Sequence, residues 1–194
     1  MAKQNKTIQL NQGLHQLAIA QARSLANQAD DAKMKMGENH QLHDVLTFLV
    51  LTGLSMELYF KAIMLAGRGG EVSKGHELSK LYNEFPDFLK TSLNQIYAKD
   101  VKAISLPIKV IAIAQRAEKP NTPEQNGLSK NFESFDSAID SVSNSFTRAR
   151  YFFEEVSHDY TYIEFPAGQI SALILALDQT YDRYLQGYFV GSQA

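Results

Sequence analysis

Val45–Ala66, VLTFLVLTGLSMELYFKAIMLA, is the most apolar run in the chain, and its reading decides the fold. One charged pair, Glu57 and Lys61, interrupts it. A helix that is apolar nearly all round needs neighbours nearly all round, so this run is expected to be the central helix of a bundle. At 100° per residue, Leu49, Val50, Gly53, Phe60 and Met64 fall within about 60° of Leu46. Glu57 falls at roughly 20°, inside the same stripe. A carboxylate there must be paired, hydrogen-bonded or protonated, because an isolated buried charge is costly. Lys61, four residues on, supplies one partner with the favourable polarity. The alternative is a polar site inside the bundle, with Glu57 orienting an Arg or His from another helix.

Outward from this run, periodicity and breakers lay out the chain. Residues 1–7 are polar and read as a frayed tail. Leu10, Leu14, Leu17, Ala18 and Leu25 recur at helical spacing, giving helix one at about 9–35. GENHQ (37–41) is a turn, and helix two follows at about 42–66, stopped by Gly67, Gly69 and Gly70. KGHELSKLYNEFP (74–86) holds a short helix, with His76 near its start and Pro86 either ending it or starting the next. Residues 87–106 continue as helix. LPIKVIAIA (106–114) alternates like a strand but has no evident partner, so it reads as a helix restarted at Pro107. EKPNTPEQNGLSK (118–130) is an exposed, flexible loop. Phe132, Phe135, Ile139, Val142, Phe146, Ala149, Phe153 and Val156 form a heptad-like stripe on a long helix, 130–157. HDYTYIEF (158–165) reads as a loop, and Pro166 opens a last helix. The expected fold is all-α: a single domain, 1–194, built as a bundle of five to seven helices.

Composition narrows the chemistry. The 194 residues carry a formal net charge of −2, so no global basic field drives nucleic-acid binding. There is no cysteine, which excludes disulfides, thiol catalysis and cysteine-bound zinc. His40, His43 and Asp44 make half a metal site with no second half, so no metal and no cofactor is expected. Val45–Met56 is short for a membrane span, and the N-terminus lacks a signal-peptide core. A cytoplasmic protein without membrane attachment is the expectation. Nucleophile-elbow, zinc-helix and dinucleotide motifs are absent, and the glycines at 67–70 follow a helix rather than a strand, unlike a phosphate loop.

The richest polar stretch is RARYFFEEVSHDYTY (148–162). Arg150 and Glu154 share a helix face, either as a surface pair or as a positioned phosphate-binding arginine. His158 is either a loop histidine or a general acid–base. With Glu57, Lys61, His76 and Glu154 these are the candidate site residues. Glu57, Lys61, His76 and Arg150 are expected to converge.

GLSMELYFKAIMLA (53–66), KGHELSKLY (74–82) and RYFFEE (150–155) resemble the HEPN-like helical domains, over about a third of the chain. The resemblance implies an all-α bundle, commonly a homodimer. It also implies either a metal-independent ribonuclease or a non-catalytic module binding RNA or a protein partner, in toxin–antitoxin or phage-defence systems. The catalytic family motif is an Arg and a His with four to six residues between them. Arg150 and His158 have seven between them, which puts non-catalytic binding first and catalysis by Arg150 and His158 second. A structural homodimer with no nucleic-acid role is the third reading.

Overall fold

The computed structural model describes residues 2–39, 42–67, 74–103, 109–112, 132–150, 162–165 and 167–187. Among them are six helices: α1 (Ala2–Asn39), α2 (Leu42–Gly67), α3 (Leu78–Asn83), α4 (Asp87–Ala103), α5 (Phe135–Arg150) and α6 (Ala167–Leu185). The all-α bundle is therefore the architecture, and α2 is its central helix, touching α1, α3, α5 and α6. Its buried side chains point in several directions: Val45, Phe48, Leu49, Met56, Tyr59, Phe60, Ala62 and Ile63 are all excluded from water. Thr47 and Leu54 mark the narrow strip that faces solvent.

α1 packs along α2, and Ser55 Oγ donates to the Ala22 carbonyl oxygen across them at 2.8 Å. Alanines 22, 26, 29 and 32 form the buried seam of α1, small enough for the two backbones to approach closely. α1 begins at Ala2, so the expected polar tail is part of the helix. At 1.5 Å per residue its 38 residues reach about 57 Å, against about 39 Å for the 26 of α2.

α6 runs antiparallel to α1, with Lys33 beside Ser171 and Arg23 beside Asp178. Gly67 closes α2 where the Tyr184 hydroxyl of α6 comes within 2.7 Å of the place a Cβ would take. An aromatic cluster of Phe60, Tyr82, Phe85, Tyr97 and Phe135 joins α2, α3, α4 and α5, with ring centroids 5.3–6.4 Å apart. Each such pair contributes about 0.5–1.5 kcal/mol beyond area burial.

α5 starts at Phe135 rather than near 130, because a reciprocal cap sets its first turn. The Ser137 amide donates to Ser134 Oγ at 3.2 Å, and the Ser134 amide donates to Ser137 Oγ at 3.3 Å. Asn94 Oδ1 of α4 takes the Phe135 amide at 2.9 Å. Orphan amides of the helix start are thereby satisfied from two directions.

Two expectations are corrected. Lys109–Ala112 is a strand, not a helix, and it pairs antiparallel with a second strand, Tyr162–Phe165, in the stretch read as a loop. The register sets Val110 opposite Glu164 and Ile111 opposite Ile163. The alternation at Ile108/Val110 was a true strand signal; its partner lay 50 residues on, in a segment whose Tyr and Ile carry strand propensity. α2 has the expected length and ends at Gly67. The whole helix from His43 to Gly67 is long and apolar enough to cross a membrane, although 72% of its most apolar window is buried inside the bundle. The loop expected at 118–130 lies outside the described residues.

Candidate functional site

Glu57 leaves α2 at the edge of its buried stripe and is 8% exposed. One of its oxygens, Oε1, receives Lys61 Nζ at 2.6 Å and His76 Nδ1 at 2.8 Å. Glu57 pairs with Lys61 along the helix, and the histidine it holds comes not from another helix inside the bundle but from an exposed position in the non-helical segment ahead of α3. A carboxylate with two charge-capable donors on one oxygen is a far tighter arrangement than a surface pair.

His76 sits in the non-helical segment 74–77 ahead of α3. Glu77 precedes the helix with extended backbone dihedrals, and its carboxylate pairs with Lys80 at 2.7 Å. The hydrogen bond from Lys80 holds the Glu77 carboxyl below its usual pKa. Leu78 and Leu81 anchor the segment in the core. Ser79 approaches Ser143 of α5, with their hydroxyls 3.4 Å apart, a long contact that ties the segment loosely to α5.

The side chains of this cluster differ sharply in access to water. Those of Glu57 and Lys61 are 11% and 17% exposed, while that of His76 is 68% exposed. With Nδ1 on the carboxylate, Nδ1 carries the hydrogen, and the other ring nitrogen, Nε2, is the group left to meet a ligand. Between Val50, Gly53, Leu54, Glu57, His76 and Ser143 there is a cavity of about 10 Å³. That is room for a single water at most. Among the described residues, the site therefore offers a surface rather than an enclosure to a ligand.

Three of the four residues expected to converge, Glu57, Lys61 and His76, do so. Arg150 is the last residue of α5, a helix packed on α2, but its side chain lies outside the described residues. Glu154 and His158 lie outside the described residues as well. His43 Nε2 is 3.4 Å from Asp44 Oδ1, and His40 is outside the described residues. Among the described residues no group of three or more His, Asp or Glu is placed to hold a metal ion.

A second polar network was not foreseen. Arg23 of α1 donates through Nε to Asp178 Oδ1 at 2.7 Å and through Nη2 to Asp182 Oδ1 at 2.7 Å. Tyr59 of α2 donates its hydroxyl to the same Asp178 oxygen at 3.0 Å. Burial opposes the Arg23 charge, but the hydrogen bonds and charges of the two aspartates outweigh it, and its pKa rises. Burial first, and Asp178 second, push the Tyr59 phenol well above its ordinary value. Nearby, His15 Nδ1 lies 2.8 Å from the Tyr181 hydroxyl, and burial pushes the His15 pKa down. Arg23 also lies over the Tyr181 ring, 5.9 Å from its centroid. The available signal was Arg23 as the one arginine of α1, facing two carboxylates four apart on α6. His15 carried no such signal, since nothing near it in sequence names its partner.

No family model, curated protein or solved structure matches the chain.

Proposed function

We propose that this chain is a HEPN-like helical module that binds RNA across the surface carrying His76, without cleaving it. The observation that carries this reading is Glu57 holding Lys61 and His76 on one oxygen, at 2.6 and 2.8 Å, beside a cavity that among the described residues amounts to about 10 Å³. A fixed imidazole on a flush face suits an extended ligand. Lys74, His76 and Lys80 stand exposed along the same segment and supply donors for phosphate oxygens. The resemblance of 53–66, 74–82 and 150–155 to HEPN-like domains supplies the RNA, the homodimer and the toxin–antitoxin or phage-defence setting.

The test is fluorescence anisotropy with labelled single-stranded RNA, repeated across a salt series, for the parent and for Lys74→Glu/Lys80→Glu. Both lysines are exposed, so the variant should fold. The expected result is salt-sensitive binding by the parent and a binding loss of about tenfold or more, with a shallower salt slope, in the variant. Absence of RNA binding at low salt sinks the reading, as does a variant that binds unchanged.

A second reading, a metal-independent ribonuclease using Arg150 and His158, rests on the resemblance, and the Glu57–His76 pair adds a further candidate proton-exchange group beside them. An imidazole oriented by a buried carboxylate is equipped to exchange a proton through Nε2. RNA cleavage in EDTA by the parent, lost in Arg150→Ala/His158→Ala, would move the protein into this class.

A further inference from the structure

On the side of α2 away from Glu57, an open groove of about 450 Å³ runs between α1 and α6, with Tyr59 and Ala26 among its lining residues. That volume lies within the range of small-ligand sites and far exceeds the cavity beside Glu57. We propose that this groove binds a short peptide of two or three residues, with free ends and apolar side chains.

The charges select this ligand. Among the lining residues, Arg23 and Lys33 are cationic, and Asp30 and Asp178 are anionic. A polyanion such as a nucleotide would meet both carboxylates, and a polyamine would meet both cations. A zwitterion sets its ammonium where Asp178 and Asp182 outnumber Arg23, and its carboxylate on Lys33, whose pairing with Asp30 is a long 3.8 Å. The two ends are not equally committed to their present partners. Lys33 Nζ holds Ser171 Oγ at 2.8 Å but stands 3.8 Å from Asp30, so it retains donors for a carboxylate. Both of the hydrogen bonds that Asp178 accepts among the described residues fall on Oδ1, from Arg23 and Tyr59. Its Oδ2 is the acceptor offered to an ammonium.

Spacing sets the length. Ser171, which marks the Lys33 end, and Asp178 are seven residues apart on α6, so about 10 Å of helix separates the two ends. A free amino acid, with charges about one residue apart, cannot touch both; two or three extended residues at about 3.3–3.6 Å each can. Between the ends, Ile174 and Leu175 line the groove, and Leu175 is 42% exposed. An apolar side chain of the ligand covers that surface.

The test is titration of the whole protein with Leu-Leu and Leu-Leu-Leu, followed by isotope-edited NMR and by calorimetry. Free leucine and acetyl-Leu-Leu-amide serve as comparisons. The expected result is saturable binding of the free-ended peptides, with shifts at Lys33, Ser171, Leu175 and Asp178. Free leucine and the blocked peptide should bind about tenfold more weakly or worse. Leu175→Glu and Lys33→Gln change side chains at the groove's open rim, and each, confirmed folded by circular dichroism, should weaken binding similarly. The proposal is overturned if neither peptide saturates, if the blocked peptide binds equally, or if both folded variants bind like the parent.

Discussion

Glu57 and Tyr59 stand two residues apart on α2 and leave it about 200° apart, so each carries a different polar network through the same core helix. Glu57 gathers Lys61 and His76 on one side, and Tyr59 reaches Asp178 and, through it, Arg23 on the other. The most apolar helix in the chain is therefore also the helix that spaces its two polar centres. Mutating one centre should leave the other intact, which makes the two separable by experiment.

The Glu57–Lys61 pair should behave as a coupled unit. Glu57→Leu leaves a mostly covered ammonium without its carboxylate and should cost about 1–3 kcal/mol in urea unfolding. Glu57→Gln keeps an acceptor and should cost less. Replacing both, Glu57→Leu/Lys61→Met, should recover most of the loss, since a well-packed apolar pair dispenses with desolvation altogether. Losses that simply add in the double variant would show that the two side chains do not act together.

Tyr59→Phe removes the hydroxyl that donates to Asp178 at 3.0 Å and leaves the ring in place. Arg23 still holds Asp178, so the expected loss is about 1 kcal/mol, read from a denaturant midpoint at unchanged slope. A neutral result would mean that Arg23 alone satisfies the carboxylate.

How much of this was legible follows from the range of each signal. The 3.6-residue period and the Gly and Pro breakers placed α2, α4 and α6 within a few residues, because both are local. Glu57 declared itself, since a carboxylate within a buried stripe demands a partner whatever the fold. The strand pair 109–112 with 162–165 stayed hidden because each strand depends on a partner 50 residues away, and four alternating residues alone do not outweigh a helical surrounding. The start of α5 was misplaced for the same reason: Phe132 continues the stripe, but the Ser134–Ser137 cap and Asn94 from another helix decide the boundary. The Arg23–Asp178–Asp182 network joins residues more than 150 apart, and only packing reveals which of several charges meet.

Asn94 should prove to be the residue that docks α5. Its Oδ1 takes the Phe135 amide, and its Nδ2 donates to Asp136 Oδ2 at 3.0 Å and to the Lys90 carbonyl at 3.1 Å. Asn94→Ala removes the cap from the first turn and should cost about 1 kcal/mol. Amide hydrogen exchange should accelerate at the start of α5 before it does in α2. Uniform acceleration across both helices would instead mark Asn94 as a general packing residue.

His15 should make stability fall on the acid side of neutrality. Burial lowers its pKa in the folded protein, so the unfolded chain takes up the proton more readily. Stability then rises with pH wherever the unfolded state binds more protons. The His15 contribution is complete above the unfolded value of about 6.5 and is lost as pH falls below it. The geometry is compatible with that sign: according to its tautomer, a neutral His15 either accepts from or donates to the Tyr181 hydroxyl at Nδ1, whereas a protonated ring can only donate. Melting temperatures from pH 8 to pH 5 should therefore drop for the parent. In His15→Gln, which keeps a polar group near Tyr181 but has no charge to gain, the drop should be shallower. Parallel profiles for the two proteins would assign the acid sensitivity to other groups and leave His15 a packing residue.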